Sequence, residues 1–111
     1  MEIINMTPHE INLVSSNGEV FQSFESQGIA RAVQSRVEVG SIVVLGNVVV
    51  INSNTFGELT GLPDEQEGVF YIVSALAAKA APSRKDLLLV DDTVRDESNR
   101  IVGCRAFALP D

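Results

Sequence analysis

The sequence predicts a mostly antiparallel α+β domain, its hairpins forming a barrel- or sandwich-like sheet with one short helix near residues 75–81. Three observations predict it. Short apolar runs recur along the chain, bounded by Gly, Asn, Ser or Asp. An Asn-Gly pair (17–18) and a Gly-Asn pair (46–47) stand between such runs, where tight turns join antiparallel strands. A single Ala-rich stretch has helix-forming composition, with Ser74 before it and Pro82 after it.

The elements follow in order. Thr7-Pro8-His9-Glu10 fits a capping box with Pro at the first helical position, but a strand pattern resumes at once. It therefore reads as a turn redirecting the chain between two strands. Ile11–Val14 and Glu19–Phe24 flank Asn17-Gly18, whose two residues are expected at positive φ. Ile29–Val39 has mostly period-two patterning and reads as a strand, with Arg31 and Arg36 on its polar face or ends. Ile42–Leu45 and Val48–Ile51 form a second hairpin about Gly46-Asn47.

That second hairpin does not alternate. Its strands are apolar on both faces, which a sheet wetted on one side does not tolerate. Either a barrel or sandwich buries it, or it is a subunit interface; left bare it would aggregate. After a Gly- and Pro-punctuated loop over 58–68 come the strand Val69–Val73 and the helix, which Ser74 caps and Pro82 stops. Leu87–Val90 is a further strand. Val94–Asp96 and Arg100–Phe107, about a turn at Glu97-Ser98-Asn99, make a last hairpin.

At 111 residues the chain is expected to be one domain, 1–111, with a core that needs no metal or disulfide. With no Trp and one Tyr, that core falls to Val, Ile, Leu and Ala. A net charge of −7 argues against a nucleic-acid partner, which demands a basic face. The basic residues are unevenly placed: Lys79, Arg84, Lys85, Arg95, Arg100 and Arg105 all lie in the last third. A positive end built there would suit a compact anion rather than a duplex. Met1–Asn5 carries no basic region and no long apolar core, and no run approaches a membrane span, so no leader and no membrane partner are expected. The lone Cys104 fits a reducing compartment, and a cytoplasmic location is expected.

The chemistry-bearing residues are few. His9 is the only histidine, and a base needs an orienting partner and a nucleophile; a turn histidine bonded to backbone is the simpler reading. Cys104 is expected inward and inert, with Arg105 on the opposite face. One His and one Cys make no zinc site within a chain. Asp91-Asp92 with Asp96 and Glu97 have the oxygens for Mg²⁺, although such a pair after a strand is more often a solvated turn. No phosphate loop, dinucleotide fingerprint or nucleophilic elbow is present, so no catalytic residue, metal or cofactor is expected.

Ser74 is the most suggestive position. It stands at a strand-to-helix junction, where unpaired N–H groups attract an anion, and Arg84, Lys85, Arg95 and Arg105 follow it with bidentate forks. The competing reading is that Ser74 merely caps its helix while the arginines pair with Asp86, Asp96 and Glu97.

Three segments carry a resemblance: Ile4-Asn5-Met6-Thr7-Pro8-His9, Tyr71-Ile72-Val73-Ser74, and Val94-Arg95-Asp96 with Arg100-Ile101-Val102-Gly103-Cys104-Arg105. With them the chain resembles small proteins encoded by bacteriophages and prophages, over nearly its whole length. The resemblance implies a viral protein made in a bacterial cell. Small phage proteins of this size include the anti-defence sponges of anti-Thoeris and anti-CBASS type, which sequester nucleotide signals such as cyclic ADP-ribose isomers. By that analogy the expected function is non-enzymatic sequestration of a small anionic nucleotide by a homo-oligomer. The ligand-binding residues would be Arg31, Tyr71 (or its neighbour Phe70), Ser74, Arg84, Arg95 and Arg105. The alternative is a phage structural, assembly or host-protein-binding module without a small-molecule ligand. A hydrolase or cyclase using His9 and carboxylates is a third reading.

Overall fold

The computed structural model describes residues 1–110, and for residues 56–58 the backbone alone. In chain order the elements are β1 (Glu2–Asn5), β2 (Ile11–Val14), β3 (Val20–Phe24), β4 (Arg31–Val44), β5 (Asn47–Thr60), β6 (Val69–Ile72), α1 (Ala75–Lys79), β7 (Leu87–Arg95) and β8 (Ile101–Ala108). Six strands form one sheet in the order β1-β6-β7-β8-β2-β3, and β4 and β5 form a separate two-stranded ribbon. The chain is thus mostly β with one short helix, as its composition implied.

The expected antiparallel sheet is corrected to a mixed one. Hairpin neighbours β2–β3, β4–β5 and β7–β8 are antiparallel, but β1–β6, β6–β7 and β2–β8 are parallel. The reason is connection length. A parallel neighbour needs a crossover, and α1 with its flanking loops supplies one between β6 and β7. The sheet also curls, bringing Ser26, just past β3, into a bridge with Asn5 at the end of β1.

Strand alternation divides the apolar residues between two clusters. Tyr71, Val73 and Leu87 pack with Met6, Ala30 and the helical Ala77 and Ala78. The small helix side chains let α1 lie close on the sheet, as the Ala-rich composition required. Between Tyr71 and Val73, Ile72 turns the other way and joins Ile11 and Cys104. Phe24 and Phe107 pack against this second cluster, their ring centroids 6.3 Å apart and tilted by 57°.

Each hairpin forms, with its turn adjusted. At the first, Gly18 alone takes a positive φ (88°); its N–H donates to the Ser15 carbonyl and the Ser15 N–H to that of Glu19. This is a three-residue loop with glycine in the left-handed place, so Asn17 does not adopt the expected positive φ. At the second, Val44 pairs with Asn47, which makes Leu45-Gly46 the turn, one residue earlier than expected. Both residues have positive φ, 49° and 82°. Such a turn accepts glycine at its second position as readily as at its first, so the dipeptide alone did not fix the register. At the third, Asp96 Oδ1 accepts from the Ser98 and Arg100 N–H groups and Asn99 takes φ 63°. β7 continues to Arg95, so Asp91 and Asp92 lie within a strand and not in the turn expected of them; both are solvated, and Asp92 takes φ 48°.

β4 unites the two strands expected at 29–39 and 42–45 into one of 14 residues, paired along its length with the 14 of β5. At roughly 3.3 Å per residue the ribbon reaches about 46 Å. It accounts for the overall 58 × 39 × 23 Å extents and for a radius of gyration of 18.2 Å, where a compact chain of this size gives about 13 Å. Its base is anchored in the first cluster by Leu59 and by the flanking Ala30 and Leu62. Of the two destinies open to the apolar hairpin, burial within its own domain is not the one observed. Every residue from Ile42 to Ile51 is exposed.

Candidate functional site

The body holds a groove of about 730 Å³ just past the C-terminal ends of the parallel strands β1 and β6. Its origin is the sparse junction between β2 and β8, which meet in register only at Leu13 and Cys104. There the two backbones lie very close. A Cβ on Gly103 would stand 2.6 Å from Val14 Cγ2 and 2.9 Å from the Asn12 carbonyl oxygen, so this crossing requires glycine. Beside it the strands part and leave the groove. Val73, Leu89, Val90 and Val102 give it an apolar wall, and Thr7, His9, Glu10, Asn12, Ser74 and Thr93 a polar rim. Among the described residues no Lys or Arg lines it.

The rim segment Thr7–Glu10 is held by a residue that sequence reasoning missed. Asn5, 1 % exposed, spends its whole hydrogen-bonding capacity here. Its Oδ1 accepts from the Thr7 N–H at 2.9 Å and from the Thr7 hydroxyl at 2.6 Å. Its Nδ2 donates to the carbonyls of His9 at 2.7 Å and Phe24 at 2.9 Å. One buried amide therefore ties the β1–β2 turn to the end of β3. An Asn in an apolar strand just before Thr-Pro was the available signal, since such a side chain must find partners if the strand is buried.

The groove gathers His9, Ser74 and Cys104 along one lining. Cys104 is 2 % exposed, and burial pushes its thiol pKa up, so it persists as the unreactive thiol. The Ser74 hydroxyl oxygen accepts the Ala77 N–H at 3.2 Å, the capping role that its position before the helix suggested. Among the described residues no three of His, Cys, Asp and Glu gather as a metal site.

The six residues proposed from sequence for an anionic ligand are dispersed in the protomer. Tyr71 is 1 % exposed in the first core cluster and has no open face on which a base could stack. Arg84 stands 6.0 Å from the centre of its ring. That guanidinium is already engaged, donating from Nε to Asp86 Oδ1 at 2.9 Å and from Nη2 to Asp86 Oδ2 at 2.7 Å and the Pro63 carbonyl at 2.8 Å. The paired hydrogen bonds to Asp86 raise its pKa further. Arg95 donates to the Asn99 carbonyl and so closes its own hairpin. Arg105, in mid-β8, lies 4.0 Å from Asp92. Arg31 begins β4 at the ribbon's base, exposed. Tyr71 and Arg84 are brought together; of the six, only Ser74 reaches the groove.

The second distinctive surface is the ribbon's distal half. Register places Ile42, Val44, Val49 and Ile51 on one face and Val43, Val48 and Val50 on the other, with Leu45 at the tip. Comparison with protein-family models, with curated proteins and with solved structures finds no match for this chain. Among the described residues no helix is long and apolar enough to cross a membrane.

Proposed function

We propose that this chain is a non-enzymatic assembly and protein-binding module, with the β4–β5 ribbon as the element that meets the partner. One observation carries the reading: the distal half of the ribbon, apolar on both faces, projects from a body that covers neither of them. Exposed apolar patches beyond a few hundred Å² mark interaction sites. The tip adds a conformational argument. Leu45 is 96 % exposed and sits at φ 49°, where a leucine costs on the order of 1 kcal/mol against Asn or Gly. It gains nothing within the protomer to offset that, whereas contact at the tip would. In the setting implied by the resemblance to phage proteins, the module would act during viral assembly or upon a host protein.

Shortening the ribbon tests this reading. Val37 and Ser53 already oppose one another, so Asn-Gly in place of residues 38–52 closes the ribbon at half its length. The body is expected to fold as before, with Tm moved by less than about 5 °C, or roughly 1 kcal/mol. A shortened chain that fails to fold would make the ribbon part of the folding core and end this reading.

A second reading is sequestration of a small nucleotide-derived anion by the assembled protein. The groove favours it, being within the roughly 300–1,000 Å³ range of small-molecule sites. So do Arg31 and Arg36, exposed on β4, where assembly would set cations against a neighbouring copy. The groove would take the base and sugar, and the arginines the phosphates.

A further inference from the structure

We infer that the partner of the distal ribbon is a second copy of this chain, and that the assembly encloses both ribbon faces. The inference rests on the proposed role of the ribbon and names what it meets. Three observations carry it.

The first is area. Eight Val, Ile and Leu side chains, 42 % to 96 % exposed, amount to roughly 800 Å² of apolar surface, about what each partner gives to a standard-size interface. The second is charge. Residues 39–57 contain no charged side chain, although the chain as a whole carries −7. Copies meeting through this run bring together none of the carboxylates that would repel them. The run also lacks the charged rim by which an acidic protein would recognise a basic partner. The third is self-similarity. Each face of the distal ribbon presents the same short β-branched side chains, so one copy's face is matched in size and shape by another's.

Both faces being apolar sets the form of the assembly. Two ribbons stacked face to face would leave each outer face in water. Enclosure requires every ribbon to be covered on both sides, either by further ribbons or by the body of the neighbour. The result is a closed oligomer in which each face is indispensable, and one charge on either face should undo it.

Sedimentation velocity on the intact protein, with Val49→Asp and Val48→Asp as single variants, tests this. Val49 shares one face with Ile42, and Val48 the other with Val43. The wild type is expected as a discrete oligomer, and each variant as an 11.9 kDa monomer with an unchanged circular dichroism spectrum. Both positions are exposed in the protomer, so neither change disturbs a packed core. A monomeric wild type would overturn the inference and leave the ribbon to a different protein; if the shortened chain still folds, the assembly role survives that result. An open-ended polymer, or a variant that keeps the wild-type mass, would overturn it as well.

Discussion

Asn5→Leu should lower stability by about 4 kcal/mol, although leucine is similar in size and far more apolar. The substitution removes the acceptor of the Thr7 N–H and hydroxyl and the donors to the His9 and Phe24 carbonyls. Groups left without partners in a buried place cost about 1–3 kcal/mol each, partly recovered where water can enter. Asn5→Asp keeps the acceptor but turns a second carboxylate oxygen toward the His9 and Phe24 carbonyls in a buried place, so at neutral pH it should cost no less than Asn5→Leu. Urea unfolding followed by circular dichroism reads both. A loss below about 1 kcal/mol for Asn5→Leu would show that the turn holds itself. The Asn5→Leu change would loosen the Thr7–Glu10 rim of the groove, leaving the Ser26 hydroxyl, which donates to the Thr7 carbonyl at 2.6 Å, as the side-chain tie between that turn and the segment after β3.

Asp86→Ala should cost about 3 kcal/mol, for a different reason. It strands the Arg84 guanidinium, whose side chain is 17 % exposed, beside a buried tyrosine ring with only the Pro63 carbonyl and the more exposed Glu65 to meet it. Breaking one partner of a buried pair is costly mainly because the other charge is left behind. The double change Arg84→Met with Asp86→Leu should therefore recover much of the loss, and a double-mutant cycle should show coupling above about 1 kcal/mol. Independent, additive losses would mean that the two residues act only through packing.

The parts of the fold legible in the sequence are those governed by neighbours along the chain. Ser74 and Pro82 delimit the helix because capping and proline act locally, and Asn17-Gly18 marks a hairpin for the same reason. Turn detail was less legible. Leu45 holds a left-handed position that its residue type does not announce. Parallel pairing was not legible at all: β1 and β6 lie more than sixty residues apart, and nothing in Ile3 or Phe70 specifies their meeting. The anion site expected from sequence counted arginines by number and placed them by position in the chain. Arg84 and Arg95 instead close contacts within the protomer, as short-range pairing with nearby acceptors allows. The apolar hairpin at 42–51 was fully visible, and its two-sided pattern posed the question that the projecting ribbon answers. A pattern reports that a face needs covering, but only the topology shows that the chain's own body does not cover it.

In the proposed assembly the distal ribbon is covered by neighbouring copies, not by its own fold. Amide hydrogen exchange of the intact protein, compared at high concentration and after dilution, measures this most directly. Peptides spanning residues 39–52 should exchange slowly in the concentrated sample and quickly once diluted, while those spanning 69–73 stay protected in both. Ribbon amides that exchange quickly at every concentration would contradict it.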